Sequence, residues 1–211
     1  VPVFSAGIGT GPQVGEAVGV DVSSRMLEFA AENLKQYGNV VLRAGDFKNP
    51  DAAMEALLSS GFDLVFAAMS PAVEDLESLR RMCACSRSWC MIDRFLEERD
   101  DVKAEVFGAV GWDVRNDPHN GADRMKLLWD LLWEEGYCPQ MEVHAREETF
   151  ELDAEALLKR YERFFQDCGD EGRARVREIL RGRSENGLIR SDVRILKGTL
   201  YWDVRVKRHY Q

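Results

Sequence analysis

With 211 residues, 45% of them hydrophobic, the chain is long enough to bury a substantial core and short enough for one domain, or one domain with an embellishment. Its formal net charge of −9 and pI near 5.0 disfavour a protein that grips phosphate backbones, so nucleic acid is not an expected partner. No run approaches the roughly 18 apolar residues of a membrane span, nothing reads as a signal peptide, and five cysteines in mostly apolar settings suit a reducing compartment, so a cytoplasmic protein is expected.

Val1, Val3 and Phe4 give the first predicted strand, which leads straight into Ser5-Ala6-Gly7-Ile8-Gly9-Thr10-Gly11. Glycines at every second position leave no Cβ, so backbone N–H groups can approach a ligand closely, and a nucleotide-like molecule is the natural guest. The dinucleotide fingerprint G-x-G-x-x-G would need glycine or alanine where Pro12 stands, which argues against it. Ala17 to Asp21 is the second strand, apolar and ending in a carboxylate, the arrangement that presents an acid to ribose hydroxyls. Between the loop and this strand lie only Pro12 to Glu16, which as helix would span about 7 Å, too little to run back along a strand. The expectation is that an N-terminal segment and part of a first helix are missing from the chain.

Ser23 or Ser24 then caps a helix carrying Met26, Leu27, Ala30, Ala31 and Leu34 on one face until Gly38. Val40-Val41-Leu42 forms a third strand leading into Gly45-Asp46-Phe47, and Pro50 takes the first position of the next helix, which Gly61 closes. Phe62 to Ala68 is the fourth strand, and Ser70-Pro71 caps a helix with Leu76, Leu79, Met82 and Cys83 inward. Trp89 to Phe95 is the fifth strand, followed by a long polar loop, Leu96 to Asn120, with a short ordered piece at Val102 to Val110. After a helix over Gly121 to Glu135 comes a sixth strand, Met141 to Phe150. Two amphipathic helices, Asp153 to Gln166 and Gly172 to Arg181, form an insertion over about 153–187. The strand pattern returns at Ser191 to Leu196, turns at Lys197-Gly198, and alternates through Leu200, Trp202, Val204 and Val206. This order predicts a single domain over 1–211: a three-layer α/β/α sandwich on a mostly parallel seven-stranded sheet, with an antiparallel terminal strand and the helical insertion before it.

Taken together, Gly7 to Gly11, Gly19-Val20-Asp21-Val22-Ser23, Met26-Leu27, Gly45-Asp46-Phe47 and Phe62-Asp63-Leu64-Val65-Phe66 resemble the S-adenosylmethionine site of the class I, Rossmann-like methyltransferases over about the first half of the chain. The resemblance implies S-adenosylmethionine as cofactor and methyl transfer as activity. It implies that the backbone of Gly7, Gly9 and Gly11 passes beneath the methionine portion. Asp21 would accept from both ribose hydroxyls and Asp46 from the adenine amino group, with Val22, Met26 and Phe47 sandwiching the ring and Ala68 completing the set. Ser5 departs from the family, which usually carries an acid there. Ala68-Met69-Ser70-Pro71 stands where members that methylate amino groups on nucleic acid or protein often carry Asn/Asp-Pro-Pro-aromatic, which turns the expected acceptor toward a small molecule.

Methyl transfer is an in-line attack by a substrate nucleophile, so it needs alignment and a dry pocket more than an acid or base. Met69, Ser70, Tyr161 and Phe165 are the substrate-side candidates, and Asp93, Arg94, His119 and Trp202 are further groups that could line that side; no catalytic base is assigned. His119 reads as a solvated loop imidazole beside Asp117 and Asn120, and His144 as a structural strand residue. The histidines and cysteines form no ligand set with convincing spacing, so no metal is expected. Two alternatives stand beside the enzyme. One is a non-catalytic S-adenosylmethionine-binding or regulatory module; the other is an NAD(P)-dependent oxidoreductase, which Pro12 and the short spacing from the glycine loop to Asp21 disfavour.

Overall fold

The computed structural model describes residues 15–113, 116–161, 164 and 168–208. The chain runs β1 (Ala17–Asp21), α1 (Ser24–Leu34), β2 (Val40–Ala44), α2 (Ala52–Ser59), β3 (Phe62–Ala68), α3 (Leu76–Cys85) and β4 (Ser86–Asp100). It continues through α4 (Asp101–Val110), α5 (Ala122–Glu134), β5 (Gln140–Leu152), α6 (Ala154–Tyr161), α7 (Gly169–Gly182) and β6 (Ile189–Asp203). The chain divides into two compact units, one of Val1–Arg94, Asp123–Glu142 and Gly198–Gln211, the other of Phe95–Ala122 and Val143–Lys197.

The expected seven-stranded sheet is corrected. Among the described residues six strands form a two-stranded sheet, β1-β2, and a four-stranded sheet in the order β3-β4-β6-β5. The first expected strand, Val1 to Phe4, lies outside the described residues. β1 and β2 are parallel, as are β3 and β4, with Ala68 beside Asp93. β6 runs against β4: the Thr199 hydroxyl donates to Asp93, and Val204 N, just past the strand, donates to Ser88 O, so positions rise along one strand as they fall along the other. The expected turn at Lys197-Gly198 does not form. β6 is continuous there, and the pattern break read from sequence is instead a change of buried side, from Ile189, Ser191 and Val193 to Gly198, Leu200 and Trp202.

Helix starts follow side-chain oxygens more closely than prolines. Ser23 caps α1, its Oγ accepting from Met26 N. Pro50 precedes rather than opens α2, because the Asp51 carboxylate takes Met54 N and is the cap. Ser70-Pro71 likewise does not start α3, which begins behind Asp75 in a capping box with Ser78.

In the first unit, Leu79, Met82, Cys90, Ile92, Met125, Leu128, Leu132, Leu200 and Trp202 are fully buried. The second unit has its own core, in which Val102, Val106 and Phe107 of α4 pack with Leu157 and Tyr161 of α6, Val176 and Leu180 of α7, and Ile189. Each such side chain is worth about 1.5–3 kcal/mol of burial, so α6 and α7 are held by α4 rather than standing as a bare hairpin. Among the described residues no helix is long and apolar enough to cross a membrane. The five cysteines are free thiols.

Gly136 ends α5 at φ +87, and a Cβ there would lie 2.9 Å from the backbone oxygen of Arg208, whose own N–H donates to Gly136 O. Gly136→Ala is therefore expected to lower stability by at least about 1–2 kcal/mol, the cost of a left-handed alanine, before the clash is counted. An unchanged urea midpoint would contradict it.

Candidate functional site

Parallel pairing brings the C-terminal ends of β1 and β2 side by side, Asp21 against Ala44, and such ends open onto the crevice where ligands bind in α/β folds. Asp21 is 3% exposed, and its Oδ1 accepts from Ser23 N at 2.7 Å, turning the chain into α1. That turn leaves Val22 69% and Met26 39% exposed, an open apolar surface next to a sunken carboxylate. Gly45 N donates to Asp21 O at 3.1 Å, and the Met54 side chain of α2 packs over Gly45 where a Cβ would stand. Next, Asp46 accepts from Lys48 N at 2.8 Å and from Asn49 Nδ2 at 3.0 Å; the Asn49 bond, then the Lys48 amide, hold its carboxyl below the usual range. Phe47 is buried.

The end of β3 is built differently. Ala68 is buried, and Met69 adopts φ +49, a left-handed backbone that a methionine takes only when its surroundings impose it. They do so through Met69 N, which donates to Asp93 O at 2.8 Å, and through Arg94, whose Nη2 donates to Ser70 O at 2.8 Å and to Val73 O. Ser70 is buried, its hydroxyl accepting from Ala72 N. Lys48 pairs with Glu74 and lies 3.9 Å from Asp75, tying the turn after β2 to the loop after β3. Met69→Gly is expected to leave thermal stability unchanged or slightly higher, since relief of about 1–2 kcal/mol of strain offsets the roughly 0.5–1 kcal/mol entropic cost of glycine. A loss above about 2 kcal/mol would show that the methionine side chain, not the backbone, governs the position.

The first unit thus gathers Asp21, Val22, Met26, Asp46, Phe47, Ala68, Met69 and Ser70 at strand ends, with Asp93 and Arg94 beside them on β4. Gly7, Gly9, Gly11 and Phe165 lie outside the described residues. Tyr161 is not the open group the sequence suggested: it is 1% exposed in the core of the second unit, its hydroxyl donating to Asp100 at 2.7 Å. Burial, then the Asp100 charge, pushes that phenol well above its ordinary pKa. Trp202 is fully buried in the first unit.

His119 also departs from expectation. Instead of a solvated imidazole it sits edge-on to Phe95, with Nδ1 3.1 Å from Asp117 and 3.7 Å from Glu98. Glu98, Asp117 and His119 lie close enough to share a metal, but the Lys103 ammonium, 2.8 Å from Glu98 and in contact with Asp117, already supplies the cation. Burial pushes the Asp117 carboxyl up, yet hydrogen bonds from His119 and Lys103 outweigh it and hold the group far below its usual pKa. A depressed carboxylate contributes stability that is present above the unfolded value, about 3.9, and lost as pH falls from there toward the folded one. Acid titration should accordingly show the parent losing stability below about pH 4, and Asp117→Asn should lack that share. Matching acid profiles would refute it.

No family model matches the chain, and no curated protein matches it. Among solved structures it is similar to a "putative methyltransferase" from Bacillus halodurans, at 16% identity over 92% of this chain and 84% of that one, with a TM-score of 0.51. It is also similar, more loosely, to the MccD protein, at 14% identity over 89% of this chain and 80% of that one, with a TM-score of 0.40. The first likeness shows the fold: this is a methyltransferase-type α/β fold, the kind that the strand-end motifs imply.

Proposed function

We propose that this chain binds S-adenosylmethionine at the ends of β1 and β2 and transfers its methyl group to a small molecule. The observation that carries the reading is the pairing of a sunken carboxylate, Asp21, with the exposed apolar Val22 and Met26 on a parallel strand end of this fold. These residues suit a nucleoside, which offers vicinal hydroxyls to one and a flat ring to the others. Asp46 and Phe47, one strand over, border the same place, and Gly7, Gly9 and Gly11 would serve the methionine portion.

When bound, the cofactor supplies an electrophilic methyl on a sulfonium. The protein's share is to hold and orient, which can contribute roughly 7–11 kcal/mol to such a step. Asp21 would fix the ribose; Ser23 N, already bonded to its Oδ1, keeps the carboxylate in one rotamer. Met69 and Ser70, at the imposed bend after β3, stand on the acceptor side. Their neighbours Ala68 and Val73 are buried, which favours the exclusion of water there.

Calorimetric titration of the whole chain with S-adenosylmethionine and its demethylated product tests the reading. Binding is expected, and Asp21→Ala should weaken it by about 1.5–3 kcal/mol, the scale of hydrogen bonds to a charged group. Asp21→Asn, which can still accept from Ser23 N, separates lost ligand contacts from a lost turn. Unchanged affinity in both variants would remove the ribose assignment, and turnover of an added acceptor would separate an enzyme from a binding module.

A further inference from the structure

The side chains of β4 alternate, and Cys90, Ile92 and Arg94 all fall on its buried side. A guanidinium in that series is out of place unless something compensates it. Arg94 is 8% exposed, yet among the described residues no carboxylate lies within ion-pair distance of it. Its Nη2 is spent on two backbone carbonyls, Ser70 O and Val73 O. Its Nε is sealed without a hydrogen-bond partner. Among the described residues Nη1 makes no hydrogen bond either, and it is not among the sealed atoms, so this edge of the group keeps some exposure to solvent. Neighbouring Asp93 points to the other side of the strand, where it takes the Thr199 hydroxyl.

The surrounding charges do not settle the group. Burial, and then the like charge of Arg124, lower the Arg94 pKa, and Glu74, which opposes them, is engaged by Lys48. Holding two carbonyls does not require a full positive charge, and an uncompensated buried charge costs several kcal/mol. An anion arriving at Nη1 would supply the missing half of the pair, in a setting where charge-assisted bonds are strong.

We propose that Arg94 marks an anion subsite on the acceptor side of the strand ends, so that the acceptor carries a carboxylate or phosphate group that docks against the open Nη1 edge. This rests on the methyl-transfer reading above, and it narrows the acceptor from any small molecule to an anionic one. The loop from Met69 to Val73, which Arg94 holds by Ser70 and Val73, is thereby coupled to occupancy of the subsite.

The test uses the intact chain labelled with 15N in its arginine side chains. The Nε–H of Arg94, sealed and so slow to exchange, is assigned by its absence in Arg94→Lys. Sodium phosphate and sodium acetate are titrated separately against sodium chloride at matched ionic strength, with S-adenosylhomocysteine binding measured on the same sample by calorimetry. A saturable shift of the Arg94 signal with phosphate or with acetate, absent with chloride, is the expected result, and the stronger of the two names the group. Binding of S-adenosylhomocysteine with no anion-specific shift would overturn the subsite and leave the methyl-transfer reading standing. Failure of S-adenosylhomocysteine to bind would overturn that reading and, with it, the assignment of Arg94 to an acceptor. The titration is made on the unaltered chain, and should Arg94→Lys not fold, correlation of the Nε–H with the Arg94 backbone supplies the assignment.

Discussion

Lys103→Met is expected to destabilise the second unit by about 3–5 kcal/mol, the range for removing one partner of a buried ion pair. Lys103 is buried on α4, with its ammonium in contact with Asp117 and 2.8 Å from Glu98, whose side chains are themselves almost fully enclosed. Methionine keeps most of the aliphatic stem, and the rings of Phe107 and Phe164 that the ammonium faces, at 5.5 and 5.1 Å, can pack against a thioether. What is lost is chiefly the charge, and two carboxylates remain buried without it. Hydrogen exchange resolved by residue should show α4, α6 and α7 opening more readily, with amides of α3 and α5 little changed. Adding Glu98→Gln and Asp117→Asn to the same variant should recover most of the loss. A loss below about 1 kcal/mol in Lys103→Met alone would mean that water reaches the cluster and the pair is worth no more than a surface one.

Asp100→Ala should have a comparable effect for a different reason. One carboxylate serves three donors from three elements: Lys103 N at 3.0 Å, which makes it the cap of α4, the Ser191 hydroxyl at 2.8 Å from β6, and the Tyr161 hydroxyl at 2.7 Å from α6. Removing it costs about 1 kcal/mol of capping and leaves the buried Tyr161 hydroxyl unsatisfied at about 1–3 kcal/mol, while the Ser191 hydroxyl keeps Asp101, for a total of about 2–4 kcal/mol. Tyr161→Phe alone should cost only about 1 kcal/mol, and added to Asp100→Ala it should recover part of the loss, because it removes the orphaned hydroxyl. Additive losses would show that Tyr161 and Asp100 are not energetically joined.

Much of this was legible in the sequence. The apolar runs at Ala17 to Asp21 and Phe62 to Ala68 read as strands because both of their faces can be covered, and they lie where expected. Asp21 lies beside Ala44, and Ala68 beside Asp93, because parallel strands bring their C-terminal ends to the same edge of each sheet, a consequence of connectivity that a linear reading can anticipate. Three other features were hidden. The short ordered piece expected at Val102 to Val110 of the long polar loop is α4, but its being a capped helix was hidden: cap Asp100, inward Val102, Val106 and Phe107, and closing Gly111 at φ +67 are helix signals set within a charged run. The burial of Tyr161 and the partial enclosure of His119 involve partners some tens of residues away, Asp100 and Glu98, which local periodicity cannot report. Arg94 reads from sequence as a strand-end group that could line the substrate side, and only its phase with Cys90 and Ile92 signals that it points inward.

The boundaries between the two units fall inside β4, β5 and β6, and just within the start of α5. Neither unit is therefore a continuous piece of chain, and this bears on the order in which the protein can be made. A ribosome that has delivered the strands β1 to β3 and the helices between them has not delivered α5 or the end of β6, which the first unit also needs. The last segment of the second unit ends at Lys197, and only after it comes the last segment of the first, Gly198–Gln211. Its closing contacts, such as Ser191 with Asp100, join residues far apart in sequence, so both units pay loop closure late and should fold slowly for their size. Until then the apolar face of α3, with Leu79, Met82 and Cys83, is exposed on the nascent chain, where a holding chaperone would find its first purchase.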